Sequence, residues 1–169
     1  MRSLQVMKAL AGNDKVKTEA GRGGMIPLIV SAMDRHVTRE RLVEAGCGAL
    51  TSLTLREAEN CACVVRDCDG AAIIALVMAK HPDSRRVQSA AAAAIRNIVS
   101  RNKELCGPFI ERGVEGLLSG AMERHGDKIG DTLRSAQRDL GLGVELVESW
   151  TGDKIKISED FRETADIEK

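Results

Sequence analysis

The sequence predicts an all-α fold, a solenoid built from about three three-helix units side by side. Three observations carry this expectation. With two Phe, one Trp and no Tyr among 169 residues, beside abundant Ala and Leu, the composition favours helices over strands. A Met-x-basic-His pattern occurs at Met33-Asp34-Arg35-His36, Met78-Ala79-Lys80-His81 and Met122-Glu123-Arg124-His125, with the histidines 45 and then 44 residues apart. An apolar stripe recurs in a second register: Leu42, Ala45, Gly46, Ala49, Leu50 and Leu53 share their spacing with Val87, Ala90, Ala91, Ala94, Ile95 and Ile98. Ile129, Thr132, Leu133, Ala136, Gln137 and Leu140 repeat it with two polar intrusions. Such spacing marks one face of an amphipathic helix. Self-similarity at this period marks a repeat architecture.

In chain order, Val6, Met7 and Leu10 match the last turns of a third helix, so residues 1–10 read as a partial repeat. Full units follow at 11–53, 54–98 and 99–140. Each reads as a short helix, a glycine turn, a longer helix, a loop and a third helix. Gly24, Gly70 and Gly113 precede the second helices, where a positive φ suits glycine. Pro27 fits the first turn of a helix. Pro82 breaks the chain after His81, and Asp83 or Ser84 can cap the next helix. The stripe offsets are 45 and then 42, so the loop before the last third helix should be shorter. Residues 141–150 read as a capping segment that completes a single domain over 1–150. The polar stretch 151–169 reads as a mobile tail.

Lys plus Arg and Asp plus Glu are 25 each, without the cationic excess that nucleic-acid binding needs. No apolar run approaches the roughly 20 residues that cross a bilayer. Five cysteines, an odd number, with no secretory leader ahead of them, fit a reducing compartment, cytoplasm or nucleus.

Helix triplets of this length, with Gly-Met-Ile-Pro-Leu-Ile at Gly24–Ile29 and Ala-Ile-Arg-Asn-Ile at Ala94–Ile98, resemble the armadillo repeat. Further matching pieces include Ala9-Leu10-Ala11-Gly12-Asn13-Asp14 and the stretch from Arg138-Asp139-Leu140-Gly141 to Trp150-Thr151-Gly152. The resemblance covers about Leu4 to Gly152. It implies a right-handed superhelical solenoid whose surfaces bind proteins.

A solenoid unit cannot bury its apolar face alone, so units stack and their third helices line a common concave wall. Anchored on Asn97, the groove row is Ser52, Asn97 and Asp139. One turn earlier lie Gly48, Ala93 and Ser135, and two turns earlier Glu44, Ser89 and Asp131. One turn later come Arg56 and Arg101. The expected contact set for a protein or extended peptide is therefore Ser52, Arg56, Ser89, Asn97, Arg101, Ser135 and Asp139. Arg56, Arg96, Arg101 and Arg138 favour an acidic or phosphorylated segment through bidentate pairing, against the simpler reading of Arg56 and Arg101 as solvated charge. Asn97 can serve a partner or a neighbouring helix. Armadillo proteins that carry import peptides use an asparagine ladder and tryptophans one turn before it. Here the asparagine occurs once and small residues stand at the tryptophan positions, which argues against an import-type carrier.

No cofactor and no metal site are expected. The histidines sit on successive units, about 10 Å apart by helix packing, too far to share an ion readily. They read as structural, with the methionines as core filler. Cys61, Cys63 and Cys68 lack paired zinc-ligand spacing and read as buried small residues rather than a metal or thiol enzyme's centre. The Ala90–Ala94 run reads as close helix packing. The degraded third unit suits a C-terminal end, whereas the opposite end lacks a cap and invites self-association there.

Overall fold

The computed structural model describes residues 13–143. Every regular element among them is helical, which bears out the all-α expectation. α1 is Asp14–Arg22, α2 Met25–Arg35 and α3 Glu40–Thr54. α4, Ala58–Ala62, runs directly into a π-helical turn at Cys63–Asp67. α5 is Gly70–Lys80 and α6 Arg85–Val99. A 3-10 turn at Lys103–Leu105 leads into α7, Cys106–Glu111, and α8 spans Val114–Leu140. The expected partial repeat at 1–10, most of the segment 141–150 and the tail 151–169 lie outside the described residues, as does the end expected to self-associate.

Local chemistry sets the helix starts. The Asn13 side chain accepts from the amides of Lys15 and Val16, at 3.0 and 3.4 Å, and so satisfies orphan donors of α1. Ser84 does the same for α6 through the Val87 amide, at 3.3 Å. Gly24 and Gly113 adopt φ of 78° and 70° before α2 and α8. Gly70 departs from the expected pattern. The left-handed residue at that turn is Asp69, with φ 49°, and Gly70 is the buried first residue of α5. A Cβ there would lie 2.5 Å from Val64 Cγ1 and 2.6 Å from the Val64 carbonyl oxygen. Glycine is needed at position 70 for close approach, not for a positive φ.

The connection in the third unit also differs from the expected short loop. Residues 36–39 separate α2 from α3, and 81–84 separate α5 from α6. In α8 the break is a single non-helical residue, Ile129, with φ −129° and ψ 15°. The stripe offset falls from 45 to 42, and removing three residues from a four-residue connection leaves one.

The main helix–helix interfaces join α3 to α6 and α6 to α8, with α2 packed on α5, and α5 on α7 and α8. Val43, Leu50 and Leu53 of α3, Val87, Ile95 and Ile98 of α6, and Leu133, Ala136 and Leu140 of α8 form one buried core with Ile26, Ile74 and Phe109. Burying each large aliphatic side chain contributes about 1.5–3 kcal/mol. Ala91, Ala92 and Ala94 are fully buried, so α6 approaches its neighbours closely. Polar ties connect residues about one unit apart. His81 Nε2 lies 2.6 Å from the Val37 carbonyl oxygen, and His125 Nε2 lies 2.9 Å from that of Pro82. Each ring thus meets the residue that follows the histidine of the preceding copy. The Ser84 hydroxyl donates to Glu40 Oε1 at 2.6 Å, and Arg112 reaches Asp69 at 3.1 Å.

Candidate functional site

The wall formed by α3, α6 and the later part of α8 carries the expected row, and each member is engaged differently. Ser52 is half-buried, and its hydroxyl donates to the Gly48 carbonyl of its own helix at 3.1 Å. Asn97 is half-buried, and its Nδ2 donates to the Thr51 carbonyl on α3 at 2.9 Å. Asp139, whose side chain is only 14% exposed, accepts from Arg138 Nε at 3.1 Å and lies 3.8 Å from Arg96 Nε on α6. Asp131 pairs with Arg134 at 2.7 Å.

Two clefts open on this wall. The first, of about 550 Å³, brings Arg56, Asn97 and Arg101 together with Arg96, Glu57 and Asn102. The second, of about 370 Å³, gathers Ser89, Glu44, Gly48, Ala93, Arg85 and Arg86, with Ile129 of the α8 break at its edge. Ser52, Ser135 and Asp139 line neither cleft. Gly48 and Ala93 leave the second cleft open where large side chains would fill it.

The first cleft is built by the ends of α3 and α6. Arg56 adopts φ 60°, a left-handed conformation disfavoured for a residue with a long side chain. Its loop is held from several sides. Lys17, itself only 3% exposed, donates from Nζ to the Leu55 carbonyl at 2.6 Å. Thr18 donates to Glu57 at 2.9 Å. Asn60 Nδ2 donates to the Leu53 carbonyl at 2.8 Å, and the Cys61 thiol to that of Thr54 at 3.3 Å. Carbonyls that a helix end leaves orphaned thus find side-chain donors. At the end of α6, Asn102 Nδ2 donates to the Ile98 carbonyl at 2.8 Å. At the end of α8, Lys103 Nζ and the Cys106 thiol both reach the Asp139 carbonyl.

Charge in the first cleft is unbalanced. Three arginines face one carboxylate, that of Glu57. Arg56 and Arg101 are exposed, and neither forms an ion pair among the described residues. Arg96 is shared with Asp139. The arrangement presents guanidinium forks to an anion and offers amide groups at Asn97 and Asn102 beside them.

The cysteines lie elsewhere in chemical character. Burial pushes the Cys61 thiol up to about 11 and those of Cys47 and Cys63 up to about 12. Burial also raises Cys68 and Cys106. These thiols are protonated at neutral pH, the opposite of an activated nucleophile. Among the described residues no group of three or more His, Cys, Asp or Glu is placed to hold a metal ion. His81 and His125 use a ring nitrogen on backbone carbonyls. No helix of the described residues is long and apolar enough to cross a membrane.

Of the expected contact residues, Arg56, Asn97 and Arg101 line the first cleft and Ser89 lines the second. Glu57, Asn102, Arg85 and Arg86 were outside the expected contact set, because a lining role for loop and helix-start residues depends on how adjacent units are offset.

Comparison with curated proteins finds relatives of one name. Over 57 residues, 34% of the chain, it is 42% identical to armadillo repeat-containing protein 6 of Homo sapiens and to that of Pongo abelii. Over 60 residues it is 39% identical to the Drosophila melanogaster homologue. The matched stretch spans only 11–13% of these relatives' own length. No family model matches, and no solved structure matches. The relatives' names support the armadillo resemblance carried by the repeated residues.

Proposed function

We propose that this chain, a homologue of armadillo repeat-containing proteins over about a third of its length, is a non-catalytic interaction scaffold. Its units are 11–53, 54–98 and 99–140, stacked as a right-handed solenoid. A partner peptide or protein lies along the wall of α3, α6 and later α8, in contact with Ser52, Arg56, Ser89, Asn97, Arg101, Ser135 and Asp139. The pairing of α3 with α6 and of α6 with α8 supports this reading, because it sets successive helices into one continuous surface.

The observation that carries the proposal furthest is the first cleft. Arg56, Arg96 and Arg101 converge there without enough carboxylates to neutralise them, so the favoured partner segment is acidic or phosphorylated. A hydrogen bond to a charged group contributes about 1.5–3 kcal/mol, enough to dominate a short peptide's affinity. An import-type carrier would need an apolar stacking wall for lysine stems, whereas Gly48 and Ala93 line the neighbouring cleft.

Fluorescence-polarisation binding tests this on one peptide in serine, phosphoserine, aspartate and lysine versions. The expected order is phosphoserine, then aspartate, then serine, with lysine weakest. The Arg56→Glu/Arg101→Glu variant should bind the phosphoserine form at least about tenfold more weakly, or about 1.4 kcal/mol. Preference for the lysine version would favour the import-type reading. An unchanged affinity in the variant would move the contact face off this cleft.

A further inference from the structure

We propose that Cys63 and Cys68 form a reversible dithiol–disulfide modification site, created by the π-helical turn that contains them. On a regular α-helix, positions five apart point roughly 140° away from each other. The turn at Cys63–Asp67 is π-helical instead, and its backbone bond runs from the Cys68 amide to the Cys63 carbonyl oxygen, at 3.2 Å. That i→i+5 bond brings the two residues onto one side of the helix, with their Sγ atoms 4.0 Å apart. Both residues are partly exposed, whereas Cys47, Cys61 and Cys106 are buried. The pair is therefore the accessible dithiol among the described residues. The turn packs between α2 and α5, so a covalent tie there would brace the junction of the first two units.

The reaction is thiol–disulfide exchange with a low-molecular-weight disulfide as oxidant. The partly exposed Cys68 thiol first gives up its proton to solvent, forming a thiolate within reach of Cys63. That thiolate attacks one sulfur of the small disulfide, forms a mixed disulfide and releases one small thiolate. Cys63 then loses its proton, attacks the Cys68 sulfur and displaces the second small thiolate. Two protein S–H bonds become one S–S bond, and the small disulfide is reduced to two thiols that take up the two protons.

Arg66 lies between the two cysteines, which makes the test direct. The chain is incubated folded with oxidised glutathione, its remaining thiols are alkylated, and it is digested with trypsin without reduction. The expected product is fragment 57–66 joined to fragment 67–80, separable only after reduction. Cys61→Ser should leave the joined pair in place. Cys63→Ser and Cys68→Ser should each abolish it, with Cys63→Ser leaving a glutathione adduct on Cys68. Circular dichroism confirms that each variant is helical. Adducts or untouched thiols without joined fragments in the wild-type chain would overturn the proposal. So would joined fragments in Cys63→Ser, because the link would then belong to Cys61.

Discussion

Asn97 of α6 donates its side-chain amide to the backbone carbonyl of Thr51 on α3, at 2.9 Å. The bond makes Asn97 a tie between α6 and α3, and the same residue lines the arginine-lined cleft. Replacing it with alanine should lower stability by about 0.5–1.5 kcal/mol, read as a shift in the urea midpoint. The same variant should weaken a phosphorylated peptide less than the arginine double variant does. No stability change in Asn97→Ala would assign the residue to the partner alone.

His81 and His125 each bond a carbonyl about one unit earlier in the chain. Among the described residues the His36 side chain makes no such bond, and the residue is exposed. His81→Ala and His125→Ala should each cost about 0.5–1.5 kcal/mol, and His36→Ala should be near neutral. Equal losses at all three positions in chemical denaturation would contradict the inter-unit role of these rings.

Gly70→Ala should destabilise the chain by about 1–3 kcal/mol, because the new methyl group meets Val64 at 2.5–2.6 Å and the Val64 carbonyl is backbone that cannot move aside. Position 70 needs no positive φ, so conformational strain does not account for the loss. A thermal midpoint unchanged by this substitution would show that the contact is not tight.

These cases mark what the sequence could and could not disclose. Helix triplets, the Ser84 cap and the turns at Gly24 and Gly113 are readable because apolar period and local capping chemistry act within a few residues. Asp69 in a left-handed conformation, the π-turn at Cys63–Asp67 and the buried Lys17 are not readable that way. Each depends on what packs above it: Val64 against Gly70, and Leu55 against the Lys17 ammonium. The break at Ile129 was half-disclosed. The stripe offset gave the shortened connection, but not that the helix continues through it. At the candidate site, recurrence pointed to Arg56 and Arg101. Arg96 stands beside them in the sequence reading, and the offset between α3 and α6 decides that Asn102 joins them and that Ser52 and Arg138 do not.

The raised thiols predict a pH dependence at the alkaline end. A Cys47 thiol at about 12 in the folded chain ionises at its ordinary value of 9.0 once unfolded. The folded state then holds the proton more tightly, so this contribution is complete below pH 9 and is lost as pH rises from 9 toward 12. Cys61, at about 11, acts in the same direction. Urea midpoints measured across this range should fall with pH, and Cys47→Ala should flatten the fall. A midpoint that rises above pH 9 would reverse the sign of the argument.

The most direct test of a contact face between α3 and α6 is to titrate the isotope-labelled chain with a phosphoserine peptide. The readout is the NMR signals of the Asn97 and Asn102 side-chain amides and the Arg56 and Arg101 guanidinium groups. Saturable shifts in these four residues, abolished by Arg56→Glu/Arg101→Glu, are the predicted result. Saturable shifts confined to other surfaces, with these four silent, would contradict it.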